Sequence, residues 1–116
     1  MKIDKVPAVE LIRYAQKVVK QEYIENAKEL FAGNVRGLMD VLKNSTPKGD
    51  ELLDLCDDWM KSIDGSVSLL IYAIKKHNPE KSDAEIKEYV EALELKDIIA
   101  KIGKVWGVDE VEQKKE

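Results

Sequence analysis

Apolar residues recur at three- and four-residue intervals along the first quarter of this chain. Such spacing places them on one face of an α-helix, and here it continues for about six turns. Pro7 suits the first turn of that helix, and Gly33-Asn34 is typical of its end. The apolar stripe comprises Val9, Ile12, Ala15, Val19, Tyr23, Ala27, Leu30 and Phe31.

Two shorter amphipathic segments follow on either side of a polar loop, residues 44–49. Proline, glycine and small polar side chains in that loop favour a chain reversal. Asp50 is predicted to cap the third helix, and Asp64-Gly65 is predicted to end it. The second helix has Val35, Leu38, Met39 and Leu42 on one face. The inner face of the third has Leu52, Leu53, Cys56, Trp59, Met60 and Ile63.

Residues 66–77 form the most apolar segment of the chain. Periodicity alone does not separate a buried strand from a buried helix in so short a run. Ala73, the amphipathic continuation into residues 75–77 and the lack of a partner strand all favour a helix. We therefore expect this segment to be a central helix that the other helices surround.

Two more helices are predicted after Asn78-Pro79, which ends the central helix. Ser82-Asp83-Ala84-Glu85 matches a capping box, in which the serine and the glutamate satisfy the first free amides of a helix. The fifth helix has Ile86, Tyr89, Val90 and Leu93 on its stripe, and the sixth has Leu95, Ile98, Ile99, Ile102, Val105 and Trp106. The fold class is therefore all-α, a compact bundle of about six helices around the central helix. Residues 1–107 would form one domain and residues 108–116 a charged, frayed tail.

Composition narrows the range of functions. The 116 residues are 44% hydrophobic and 36% charged, and the net charge of −4 is divided evenly between the two halves. Neither half has the basic field that dominates nucleic-acid affinity, which argues against a nucleic-acid partner. No secretory signal and no membrane-length apolar run is present, so no membrane partner and a cytoplasmic location are expected.

The residues that usually carry chemistry are isolated. His77 stands alone at a predicted helix end, where capping is its commoner role. Cys56 falls on a buried stripe with no histidine near it in sequence to activate it, so packing is the expected role. The sequence therefore predicts no catalytic residue, no cofactor and no metal, and hence a protein that is not an enzyme.

Five acidic residues cluster at the start of the third helix, at Asp50, Glu51, Asp54, Asp57 and Asp58. Their spacing does not match a calcium-binding loop. An ordinary solvated face is the favoured interpretation, and a docking patch for a basic partner is the other. A helical enzyme with an acidic metal site around Asp54, Asp57 and Asp58 is a further alternative.

A small DNA-binding or regulatory module is a separate alternative. Residues 85–108 form two short predicted helices joined by a turn, in the manner of a helix-turn-helix. A recognition helix should present basic and amide side chains on its outer face. Here the lysines are offset by acids nearby, which weakens the match. The residues concerned are Lys96, Lys101 and Lys104, and Asp97, Asp109 and Glu110.

Residues 66–107 have an order of features that resembles one known family. An apolar helix runs into Lys-Lys-His-Asn-Pro at residues 75–79, and the Ser82–Glu85 capping box follows. A short amphipathic helix and the Leu-x-x-Ile-Ile segment at residues 95–99 complete the order. This arrangement resembles the tail assembly chaperones of long-tailed bacteriophages.

The resemblance implies a non-enzymatic role in virion morphogenesis inside the host cell. Such proteins coat the tape measure protein before the tail tube forms around it, and they also engage the tail tube protein. Frameshifting near the end of many such genes suggests that residues 113–116 could be encoded by a slippery adenine run. Self-association remains an open question. The expected exposure of side chains, not the family, selects the candidate partner-binding residues Leu38, Met39, Trp106, Asp54, Asp57 and Asp58.

Overall fold

The computed structural model describes residues 1–108, and the all-α helical bundle is confirmed in this range. The tail predicted for residues 108–116 and the slippage hypothesis at residues 113–116 lie outside the described residues, apart from Val108. The six helices are α1 Ala8–Leu30, α2 Val35–Ser45, α3 Gly49–Lys61, α4 Ile63–His77, α5 Asp83–Glu91 and α6 Leu95–Trp106.

The main core is built around α4, as the sequence predicts. Helices α1, α3, α5 and α6 all pack against it. Leu69, Leu70, Ala73 and Ile74 on α4 are fully buried, and Val67, Ile71 and Tyr72 on its other sides are partly buried against the same core. A helix that is apolar nearly all round is stable only when it is enclosed in this way.

The start of α4 differs from the prediction because the boundary between α3 and α4 lies at Ser62 and not at Asp64-Gly65. The Ser62 hydroxyl accepts a hydrogen bond from the Gly65 amide at 3.0 Å and donates one to the Trp59 carbonyl at 2.6 Å. Ser62 therefore serves both helix ends. Gly65 lies in the first turn of α4 and is buried.

Gly65 is a glycine because two backbones meet there. A Cβ atom on this residue would lie 1.7 Å from the Trp59 carbonyl oxygen. That atom belongs to the main chain and cannot rotate away, so only a residue without a side chain permits the sharp α3–α4 corner.

Gly65→Ala is expected to lower the free energy of unfolding by about 2 to 3 kcal/mol, because α3 and α4 must move apart. Urea unfolding followed by circular dichroism measures this change. In an unobstructed helix the same substitution stabilises by up to about 1 kcal/mol. A neutral or stabilising result would therefore show that the corner is not close-packed.

The N-terminal residues pack into the core, a feature that the sequence analysis missed. Ile3 and Val6 are buried, and the Val6 amide donates to the Val105 carbonyl at 2.9 Å. Asn78, only 6% exposed, holds the same segment to the end of α4. Its Oδ1 accepts from the Lys2 amide at 3.0 Å, and its Nδ2 donates to the carbonyls of Lys2 and Ile74 at 2.7 and 2.8 Å.

Asn78→Leu is expected to lower the free energy of unfolding by about 2 to 3 kcal/mol, since it leaves the Lys2 peptide groups without their partners. Asn44→Leu is the matched control, because Asn44 is exposed, and it should stay within about 0.5 kcal/mol of the parent. Chemical denaturation of both variants gives the comparison. Equal effects would mean that the Asn78 amide does not secure the N-terminal segment.

A second, smaller core lies between α1 and α3. Ala15, Leu52 and Cys56 are buried there. Tyr14 and Trp59 join this core to the main one, because Tyr14 stacks on Tyr72 of α4 at 4.5 Å between ring centres and tilts against Trp59 at 6.3 Å. The rings of Tyr14, Trp59 and Tyr72 therefore hold α1, α3 and α4 together, and Trp59 lies on the inner face predicted for α3.

Several predicted details of the helices need correction. Val9 and Leu30 are exposed instead of lying in the core, and near Val9 the residue that is buried is Leu11, on a different side of α1. Leu53 and Ile63 are likewise exposed. Asp50 lies inside the first turn of α3, whose cap position is Lys48. These errors arise because the spacing of apolar residues indicates that a helix has an apolar face, but not which part of that face a neighbouring helix covers.

Other predicted boundaries are confirmed. Gly33-Asn34 separates α1 from α2, and the Asn34 side chain also caps α2 by accepting from the Gly37 amide, which was not predicted. Helix α4 ends at His77, immediately before Asn78-Pro79. Ser82 caps α5 by accepting from the Glu85 amide at 3.2 Å. Here the Glu85 carboxylate accepts from the serine hydroxyl at 3.3 Å, a variation on the expected bond to the cap amide.

Candidate partner-binding surface

The outer side of α6 has an apolar stripe that the core does not use. Leu95, Ile99, Ile102 and Trp106 follow one another at steps of four, three and four residues. Ile99 is 60% exposed and Leu95 is also exposed, whereas Ile102 and Trp106 are half-buried at the edge of the main core. We call these four residues the α6 stripe.

A separate set of side chains attaches α6 to the core. Ile98 and Val105 are buried, and they lie on the neighbouring face of α6. At 100° per residue, the centre of this pair and the centre of the α6 stripe are about 80° apart around the helix axis. The helix therefore has more apolar surface than α4 can cover, and the surplus faces outward.

The spacing of the α6 stripe suits a helical partner. Steps of four and three residues are those of the seam in a coiled coil, where each side chain fits between four side chains of the facing helix. Amphipathic helices that lie in grooves use the same anchor positions. The geometry therefore supports helix binding along the 12 residues of α6.

One charged residue of α6, Lys96, lies beside the α6 stripe. At 100° per residue, Lys104 and Asp97 lie on the opposite side of the helix, and Lys101 lies beyond the buried Ile98 and Val105. The Lys96 ammonium lies 3.5 Å from the Glu94 carboxylate, with both side chains largely in solvent. An acidic side chain of a partner would meet Lys96 favourably at this edge of the stripe.

The residues selected from the sequence do not form one site. Met39 is 62% exposed and Leu38 half-buried on α2, which packs on α1 after the chain has turned at its C-terminal end. Trp106 lies near the opposite end of α1. It follows Val105, whose carbonyl accepts a hydrogen bond from the Val6 amide just before α1 begins. Because α1 has 23 residues, these two places are about 30 Å apart.

The acidic residues occupy a third place, the outer face of α3. Asp54, Asp57 and Asp58 are exposed and lie opposite the buried Leu52 and Cys56. This is the arrangement of a solvated face. Asp57 pairs with Lys61 at 2.8 Å, and that hydrogen bond raises the pKa of the lysine ammonium. In residues 1–108 no group of three or more His, Cys, Asp or Glu side chains is placed to hold a metal ion.

His77 and Cys56 are both enclosed by structure. His77 ends α4 and is half-buried, and its Nε2 atom is buried without a hydrogen-bond partner in the described part of the chain. Cys56 is 1% exposed, and burial raises the pKa of its thiol. A raised pKa keeps the thiol protonated at neutral pH, which is the unreactive form.

Cys56 is expected to react with an aromatic disulfide reagent at pH 7 at least about 100-fold more slowly in the native protein than in urea, because it is buried and protonated. Absorbance of the released thiolate measures the rate. The control is the double variant Cys56→Ser with Asp58→Cys, whose exposed thiol should react rapidly without urea. Equally rapid labelling of native Cys56 would show an accessible thiol.

The sequence did not predict that Leu95 and Ile99 are exposed, because both were placed on the same apolar stripe as Ile98 and Val105. A signal for it was present. Six large apolar residues in a 12-residue helix exceed what one neighbouring helix covers. The sequence does not show which of the two apolar sets would face α4, since this depends on the angle at which α6 crosses α4.

Comparison with protein families, with curated proteins and with solved structures finds no match to this chain. The fold and the surface therefore have to be interpreted from their own physical chemistry. None of the six helices in residues 1–108 combines the length and apolar character that a membrane crossing requires.

Proposed function

We propose that this protein is a non-enzymatic binding protein that holds an amphipathic helix of its partner along the α6 stripe. The observation that carries the proposal is the pair Leu95 and Ile99, exposed one turn apart on a helix whose other face is already buried. Exposed apolar residues in such a row lose solvent contact when a second helix lies against them.

The resemblance over residues 66–107 supports a more specific role, that of a tail assembly chaperone of a long-tailed bacteriophage. The tape measure protein is the partner that we propose for the α6 stripe, and the tail tube protein is a second partner. The matched residues span α4, α5 and α6 and so include the stripe. A long helical protein that is prone to aggregate would be protected when its apolar seam is covered.

The charge at the edge of the stripe bears on which partner helices would fit. Lys96 lies beside the apolar anchors and favours a partner segment with a glutamate or aspartate at that edge. Rim charges of this kind affect the rate of association more than the strength of the complex. Binding should therefore become slower, with a smaller loss of affinity, as salt is raised.

The proposal is tested by co-expressing the protein with the long helical protein encoded beside its gene. Ile99→Asp should lower the affinity at least about tenfold, because it places a charge in the centre of the apolar contact. Ala100→Asp is the matched control, since this exposed neighbour lies away from the stripe and its change should leave affinity within about twofold. Co-purification and titration calorimetry give the measurements.

Two results would count against the proposal. Equal binding by the parent and Ile99→Asp would exclude the α6 stripe as the contact. Absence of a tail tube gene and a long helical-protein gene on either side of this one would remove the support for the phage role, while the helix-binding surface could still be tested with acidic amphipathic peptides.

The DNA-binding alternative gains no support from the geometry of α6. In that alternative this helix would be the reading helix, and its exposed side chains are the apolar Leu95, Ile99 and Ala100 together with Lys96, Asp97 and Lys104. Base edges are read mainly by hydrogen-bonding side chains. An apolar row is suited to a protein surface instead.

A further inference from the structure

Helix α2 is attached to the rest of the molecule by little buried surface. It packs mainly on α1, and none of its residues is buried. From residue 28 to residue 51 the single buried residue is Pro47, after the end of the helix. By contrast, α4 has five buried residues in a helix of similar length.

Polar interactions do not compensate for this small contact. The hydrogen bonds that involve α2, outside its own helical ladder, stay within residues 34–46. The side chain and the carbonyl of Asn34 accept from the amides of Gly37 and Leu38, and the Thr46 hydroxyl donates to the Leu42 carbonyl. The ion pairs found within residues 1–108 include none with Arg36, Asp40 or Lys43. Half-buried apolar side chains alone therefore hold α2 on α1.

A glycine in the left-handed region lies on each side of α2, Gly33 two residues before it and Gly49, the first residue of α3, four residues after it. Gly33 has a φ angle of +81° and Gly49 one of +60°, and a Cβ atom on either would meet nothing within 4 Å. These positions are glycines because of backbone conformation, not packing. Glycine crosses between backbone regions at low cost, so each end can change direction without displacing a neighbour.

From these features we propose that α2 is a hinged flap, which leaves α1 as a unit while the α4 core stays folded. The position of Gly37, where a Cβ atom would lie 2.9 Å from the Phe31 ring, places α2 over the side of α1 that has Phe31 and, one turn earlier, Ala27. Opening uncovers that apolar side and the inner face of α2. The proposal does not depend on the α6 stripe or on the phage role.

Hydrogen exchange followed by mass spectrometry tests the flap in the full chain. A segment with few buried contacts opens at a free energy below that of global unfolding. Amides in residues 38–45 should therefore exchange at least about 100-fold faster than those of residues 69–77 in α4, and at one common rate with little dependence on urea. Exchange of α2 at the α4 rate would overturn the proposal, as would protection of its central amides with fraying at its ends.

A pair of variants shows whether α2 rests on the inferred side of α1. Ala27→Asp puts a carboxylate under α2 and should raise the exchange rate of residues 38–45 at least about tenfold further, with residues 69–77 unchanged within about twofold. Asn26→Asp is the matched control, because Asn26 is exposed in an open groove on the outer side of α1. No change in α2, or equal acceleration in α4, would overturn the proposal.

Discussion

The backbones of α3 and α4 meet at Gly65, where the Trp59 carbonyl oxygen occupies the space that a side chain would fill. Ser62 ends α3 and caps α4 at this corner, and α4 then packs against α1, α5 and α6 as well as α3. Leu69, Leu70 and Ile74 are fully buried as a result. Without this corner, α4 would have no neighbours for most of its apolar surface, and burial of that surface is the main favourable term in folding.

The sequence predicts those parts of the fold that are determined locally. The apolar stripes, the serine cap of α5 and the end of α4 before Pro79 depend on residues within a few positions of each other. The packing of Ile3 and Val6 depends on Asn78, more than seventy residues away, and no local pattern identifies such a pair. The prediction that Gly65 ends a helix was wrong for the same reason. A glycine that ends a helix and a glycine that allows a second backbone to pass close by look identical in the sequence.

The candidate surface illustrates the same division between local and tertiary information. The sequence shows that α6 is rich in apolar residues, but only the packing on α4 shows that Ile98 and Val105 are used and that Leu95 and Ile99 remain. Selection by expected exposure placed partner residues at three separated positions, because each helix was judged alone. A site arises where the core leaves an apolar row unused, and this occurs at Leu95 and Ile99 on α6.

The two ends of the molecule differ in how firmly they are held. Helix α6 packs on α4, and the N-terminal segment bonds both Val105 and Asn78, so the α6 stripe is carried on a rigid support. A rigid surface loses little conformational entropy when a partner binds, which favours affinity. Helix α2, at the C-terminal end of α1, has no such support, and a left-handed glycine lies in the chain on each side of it. The chain thus combines a preorganised apolar row near the N-terminal end of α1 with a weakly held helix near its C-terminal end.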